Sequence, residues 1–376
     1  MTTDALGLYL HIPFCTSICN YCNFNRGLLD AELKRRYVGA LATEIGRAAE
    51  GVAVDTIYVG GGTPSLLAPV EVACLLDACR ASFAVTPGAE VTLEMNPETV
   101  TGDYVAALLG AGVTRLSVGV QSFDDRELAR LGREHTAARA EAAMVSAREA
   151  GCDNISLDLM LWLPAQTPDD CAASVEALIR LSPDHASVYM LELYPNAPLR
   201  EEMARRDWSL APDDDAAAMY LDALERMDSA GLAQYEISNV ARAGKRSRHN
   251  LKYWQDGAWL GFGCGAHSTR DGWRWANVAE AARYVSAMEE AQPVMRDRRR
   301  LPDHERLGDA LFTGLRLTEG LDLETIRRRY AVDVFDRFCT QLRPFLDAGL
   351  LVHSADRLRL TRRGMLVANE VMQVFV

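Results

Sequence analysis

Along the first two thirds of the chain, short β-rich runs alternate with longer stretches of helical spacing. GLYLHI at 7–12, DTIYV at 55–59, EVTLEM at 90–95, RLSVGV at 115–120, NISLDLM at 154–160 and ASVYMLEL at 186–193 read as strands. ELKRRYVGALATEIGRA and PVEVACLLDACRASF carry the spacing of amphipathic helices. Thr167-Pro168-Asp169-Asp170 marks a helix start, with a capping hydroxyl, proline in the first turn and acids beside the helix dipole. Six strand–helix units predict parallel strands, either in an open partial barrel or in a doubly wound sheet.

The pattern changes near residue 235. Residues 242–275 hold Gly, Arg, His and four of the six tryptophans (254, 259, 273 and 275) and predict irregular structure. From about residue 301 helical spacing dominates. The tail LRPFLDAGLLVHSADRLRLTRRG reads as helix, short strand, turn, strand and final helix, a winged-helix-like order. The expected division is a barrel over 1–235, a connecting segment over 236–300 and a mostly helical module over 301–376.

Composition narrows the function. The formal net charge is -12, which disfavours a nucleic-acid partner and, with it, the DNA-binding role that winged helices often have. The first residues lack a basic segment followed by an apolar one, and no stretch is apolar enough to span a bilayer, so no transmembrane segment and a cytoplasmic location are expected. Nine cysteines without a secretory signal point to reduced thiols or metal ligands.

Unusual residues gather at the strand ends. The first strand runs into Cys15, Cys19 and Cys22, the second into Gly60, Gly61, Gly62 and Thr63. The third ends at Glu94 and Asn96, the fourth at Gln121 and the fifth at Asp158. In parallel α/β folds the loops at the carboxyl ends of strands converge on one face, so these clusters predict one site. By spacing alone the cysteine triplet suits an iron–sulfur cluster with one iron free of protein ligands, a zinc site short of a fourth ligand, or a redox pair at Cys19 and Cys22.

The run Tyr9-Leu-His11-Ile-Pro13-Phe14-Cys15-x3-Cys19-x-Tyr21-Cys22-x-Phe24 resembles the cluster loop of radical S-adenosylmethionine (SAM) proteins in the oxygen-independent coproporphyrinogen III oxidase-like family. GGGTPS, LEMNPE, RLSVGVQSF, LDLMLWLPAQT and GCGAHS extend the resemblance over nearly the whole chain. It implies a partial (β/α)6 radical SAM barrel and a 4Fe-4S cluster on Cys15, Cys19 and Cys22. It also implies a SAM site drawn from Tyr9, Tyr21, Gly60, Gly61, Gly62, Thr63, Glu94, Gln121, Arg133 and Asp158, and reductive SAM cleavage fed by a donor such as flavodoxin or ferredoxin. Read without the family, Arg133 is a solvated helix residue. Two positions depart from the pattern: Trp162 stands where the family usually has glycine, and Cys264 where it often has proline.

Two branches must be separated. The oxidases carry a fourth cysteine two residues after the third, where this chain has Phe24, and a long N-terminal extension, where only eight residues precede Tyr9. His249-Asn250-Leu-Lys-Tyr253-Trp254 instead resembles the signature of the HemW-type heme chaperone branch. That resemblance implies heme held by His249, Tyr253 and Trp254, with Arg242, Lys245, Arg246 and Arg248 available to the propionates. It implies delivery to recipient hemoproteins, respiratory ones among them, with a homodimer conceivable. Read without the family, His249 is a solvated loop residue and the Tyr-Trp pair is interdomain packing. His267 and Cys264 are alternative heme ligands, and His11 is expected to satisfy a backbone group. The other cysteines, Cys264 aside, are expected in the core. No catalytic residue is assigned, and coproporphyrinogen dehydrogenation is the competing function.

Overall fold

A computed structural model describes residues 5–376. Six parallel strands follow the expected order: β1 (Leu6–Ile12), β2 (Ala53–Gly61), β3 (Ala84–Met95), β4 (Arg115–Gln121), β5 (Ile155–Leu161) and β6 (His185–Met190). The last is shorter than its apolar run, because residues 191–194 leave the sheet. Helices α1 (Ala31–Arg47), α2 (Pro69–Ser82), α3 (Gly102–Ala111), α4 (Asp125–Arg130), α5 (Ala137–Glu149) and α6 (Pro168–Arg180) form the crossovers. Thr167 caps α6 with Asp170 in a reciprocal box.

The stretch expected to be irregular is ordered and extends the sheet. After α7 (Pro198–Arg206) and α8 (Asp213–Ser229), β8 (Asn239–Ala241) adds antiparallel to β6, and β7 (Ala233–Glu236) pairs antiparallel with β8 at the edge. The chain then forms α9 (Arg248–Trp254) and returns as β9 (Trp259–Phe262), parallel to β1 on its other side. The strands β10 (His267–Arg270), β11 (Trp273–Asn277) and β12 (Met295–Arg300) continue the edge, with α10 (Ala281–Glu289) between the last two. The twelve-stranded order is β12-β11-β10-β9-β1-β2-β3-β4-β5-β6-β8-β7. Trp259, Trp273 and Trp275 lie in these strands, as suits aromatic residues, but the runs are only three to six residues long and carry little periodicity.

Leu8, Leu10, Ile57, Val59, Val91 and Leu93 alternate with polar residues and enter the main core with the crossover helices. The opposite face carries Tyr9, His11, Thr56, Tyr58, Glu90, Thr92, Glu94, Arg115, Ser117 and Asp158. Parallel sheets usually bury apolar groups on both faces. Here one face is polar because it lines an interior lumen.

A second core forms around α11 (Asp303–Gly314), α12 (Leu323–Tyr330) and α13 (Val334–Asp347), with a three-stranded sheet from Leu321–Asp322, Leu351–His353 and Arg357–Leu360. This helix–strand–helix–helix–strand–strand order has the winged-helix-like form expected of the tail. No helix among the described residues is long and apolar enough to cross a membrane.

Candidate functional site

A cavity of about 330 Å³ opens at the carboxyl ends of β2 to β6. Its walls bring together Cys15, Cys19, Cys22, Tyr21, Gly61, Gly62, Thr63, Glu94, Gln121, Arg133 and Asp158. Tyr9 and Gly60 are not on the wall but stand beneath it. Tyr9 shares a hydrogen bond with His11 (3.0 Å) and stacks on Tyr58, with ring centroids 6.2 Å apart. Asn96, Ser117, Tyr189 and Met190 also face the cavity.

The cysteine loop is tied to the strands by its backbone. Gly27 and Leu29 N–H donate to Pro13 and Cys15 carbonyls, and Gly62 and Thr63 N–H donate to Ile12 and Phe14 carbonyls, all at 2.7–2.8 Å. A Cβ at Gly62 would sit 2.9 Å from Cys15 Sγ and 2.8 Å from the Phe14 carbonyl, so only glycine lets the two loops pass this closely. Burial pushes the Cys15 and Cys22 thiols up. Arg133, half-buried, points Nη1 at Cys19 Sγ (3.6 Å) and Nη2 at Asn96 Oδ1 (2.9 Å) and the Gly119 carbonyl (2.7 Å). It is thus a cavity residue and not a solvated one. Among the described residues no three His, Cys, Asp or Glu side chains converge on a single point. A four-iron cluster does not require that, since its thiolates bind different irons. Three thiols on one wall, with a glycine cradle behind them, fit such a group.

Glu94 accepts hydrogen bonds from the Tyr58 hydroxyl (2.7 Å) and the Gly61 N–H (3.0 Å). Burial still pushes its carboxyl up to about 7, and that of Asp158 up to about 6. A bulge at Gly119/Gln121 leaves Gln121 at φ 69°, a left-handed conformation that turns its side chain at the wall. Trp162 also has positive φ, 60°, and its indole N–H donates to the Ala211 carbonyl at 2.8 Å. That conformation explains why glycine suits this position.

The heme residues expected from the HNxxYW motif are not brought to the cavity. His249 has no exposed surface; it lies in the lumen against Tyr58, with ring centroids 5.3 Å apart. Its Nδ1 bonds Thr56 Oγ1 (2.9 Å) and its Nε2 bonds the Tyr253 hydroxyl (2.8 Å), so neither nitrogen is free for iron. Burial drives its pKa down to about 3. The Glu90 carboxylate accepts from the Arg248 and His249 N–H groups at 3.0 Å each, holding the N-terminus of α9 inside the sheet. Tyr253 packs edge-on to Trp259, and Trp254 lies under the Arg316 guanidinium, 4.4 Å away, at the C-terminal module. The basic residues upstream are engaged as well: Arg242 on Pro183 and Ser182, Lys245 on Asp153, Arg246 on Glu319 and Arg248 on Gly88. The expected solvated loop is therefore split: His249 and Lys252 are buried, Tyr253 and Trp254 are half-buried, and Arg246 and Arg248 stay at the surface.

Cys264 is fully buried beside Tyr37 (3.5 Å), its thiol pushed up to about 11 by burial, and is unsuited to ligate an incoming group. His267 is exposed on β10. His11 does satisfy a backbone group, the Asn25 carbonyl at 2.7 Å. Cys79, Cys152 and Cys171 are core residues, but Cys74 is exposed and Cys339 partly so, against expectation. Sequence reasoning overlooked Arg115, Glu90 and Tyr189. The polar alternation Glu90-Thr92-Glu94 and Arg115-Ser117 was the available signal.

An open parallel barrel with a three-cysteine loop at its carboxyl face defines a radical SAM protein. Residues 9–178 match the model of the Radical SAM superfamily, and residues 301–367 that of the HemN C-terminal domain. The chain is 35% identical to the heme chaperone HemW of Bacillus subtilis over 98% of both chains. It is 38% identical to that of Mycobacterium tuberculosis, over all of this chain and 96% of the relative. The chain belongs to the HemW family. The coproporphyrinogen III oxidase HemN of Escherichia coli shares the fold, with a TM-score of 0.86 and 24% identity over 99% of this chain and 90% of that one.

Proposed function

We propose that this protein is a heme chaperone that binds a 4Fe-4S cluster on Cys15, Cys19 and Cys22, SAM in the adjoining cavity, and heme for delivery to recipient hemoproteins. The observation that carries this reading is the full-length relationship to heme chaperones. Phe24 supports it against the oxidase alternative: an exposed phenyl ring stands at the cavity mouth where the oxidases have a fourth cysteine. Nothing in the geometry favours coproporphyrinogen dehydrogenation.

The residues present suit SAM. Gly61 and Gly62 let the backbone approach a ligand closely. Glu94 and Asp158 accept hydrogen bonds from an ammonium group or ribose hydroxyls, and Arg133 holds the wall beside Cys19. The cluster, when bound, supplies the electron for reductive cleavage of SAM; the donor is of the flavodoxin or ferredoxin kind. The resemblance gives the heme role to His249, Tyr253 and Trp254, and in this reading a His249 bond to Thr56 or Tyr253 must break before the imidazole meets iron.

The test uses anaerobically reconstituted protein. Heme titration should give saturable binding followed by transfer to an apo-hemoprotein. Incubation with coproporphyrinogen, dithionite and SAM should give no protoporphyrinogen. Steady formation of protoporphyrinogen without heme transfer would replace this reading with the oxidase.

A further inference from the structure

Beneath the cavity, one buried guanidinium has two nitrogens without partners among the described residues. Arg115 is 1% exposed at the start of β4, and its Nε and Nη1 have no hydrogen-bond partner among the described residues. Thr92, its register partner on β3, has a fully buried Oγ1 in the same condition. One inward position nearer the cavity, β3 carries Glu94 and β4 carries Ser117, whose hydroxyl donates to Asp158 at 3.4 Å. An isolated guanidinium in a dry interior is costly unless opposite charge lies near. The field of Arg115 reaches both Glu94 and Asp158 and opposes the effect of burial on each.

We infer that Arg115 is a positioning residue for the SAM site: it is the counter-charge that keeps Glu94 and Asp158 ionised for a cationic sulfonium amino acid arriving from the other side. This rests on the SAM reading above. Two carboxylates in one buried layer repel each other, and each favours taking up a proton. The other groups facing that layer do not relieve this. Burial keeps the phenols of Tyr9, Tyr58, Tyr235 and Tyr253 neutral, and likewise His11, His185 and His249; the phenol of Tyr189, at the cavity wall, is also pushed up. Glu90 is spent on the amides of α9, Lys252 on Asp55, and Glu236 on Arg316. Arg133 lies on the cavity side, where the ligand itself will sit. Arg115 is the cation placed below.

The sign follows from the carboxyls. SAM affinity is full above their pKa values and falls as pH drops through about 7 and about 6. Removing the charge of Arg115 raises both values, so the acid limb moves to higher pH.

Cluster-loaded wild type, Arg115→Gln, Arg115→Met and Arg115→Lys are compared by anaerobic equilibrium dialysis with labelled SAM across about pH 5.5 to 9. The neutral variants should move the midpoint up by about one unit, a roughly tenfold loss near pH 6.5 that recovers by about pH 9, while Arg115→Lys keeps the wild-type profile. Equal loss at every pH, or the same shift with lysine, overturns the inference. Should neither neutral variant fold, infrared difference spectra of the wild type decide. SAM should remove a partial protonated-carboxyl band near pH 6.5 and none near pH 9, and a protonated-carboxyl band that persists at pH 9 without SAM overturns the inference. Wild type that binds no SAM at any pH defeats the functional reading itself, whereas SAM binding with an unshifted acid limb in the variants defeats only the role of Arg115.

Discussion

Replacing His249 with Gln tests the most unexpected placement in the molecule. The ring is fully buried and has both nitrogens bonded, and its pKa falls to about 3 against about 6.5 in the unfolded chain. The folded state therefore excludes a proton that the unfolded state takes up below about pH 6.5. Its stability contribution is intact above that pH and is lost as pH falls toward 3. With about 1.4 kcal/mol per pKa unit, the penalty is negligible at pH 7.5 and about 2 kcal/mol at pH 5. Glu94 and Asp158 titrate with the opposite sign: their raised values make protonation favour the folded state on acidification. The wild-type pH profile alone is thus uninformative, and the difference between wild type and variant isolates the imidazole. At pH 7.5, His249→Gln should destabilise the protein through lost packing on Tyr58 and a loosened bond to Tyr253. At pH 5 that cost should shrink by about 2 kcal/mol, read by urea unfolding of the ligand-free chain. A cost that does not change between the two pH values would mean that His249 meets solvent, with α9 outside the lumen, and would refute the buried arrangement.

Other outcomes follow from the same geometry. Gly62→Ala drives a methyl against the Phe14 carbonyl and Cys15 Sγ, backbone and ligand atoms with little room to yield; iron and sulfide content after reconstitution should fall well below wild type while the far-ultraviolet dichroism is unchanged. Glu94→Gln removes a buried carboxylate acceptor and should weaken SAM binding by about 2 kcal/mol, roughly thirtyfold, in equilibrium dialysis. Trp162→Gly relieves a left-handed conformation worth about 1 kcal/mol but loses the indole bond to Ala211, so its unfolding midpoint should stay close to wild type. Trp162→Ala keeps the strain and loses the anchor, and should be the less stable of the two.

Much of the fold was legible because parallel strands and crossover helices carry local periodicities. All six predicted strands form, five of them within three residues of their runs and the third starting six residues early at Ala84, and the caps at Thr167 and Asp170 needed only neighbouring residues. The convergence of polar clusters at one sheet end followed from chain direction alone. Beyond residue 235 these signals failed. Helix α9 is seven residues long, too short for an apolar stripe, and β7 to β12 are runs of three to six residues.

What the amino-acid order alone determined was the alternation of elements, the cysteine loop and the set of side chains at the strand ends, since each depends on contacts close in sequence. Only the tertiary structure decided that His249 of the basic, aromatic motif is an interior residue. Glu90 meets the amides of residues 248 and 249 across more than 150 positions, and Thr56 meets His249 across 193. No local pattern encodes such a contact. A polar residue looks equally suited to water and to a polar lumen until the sheet closes around it, and burial then changes its chemistry.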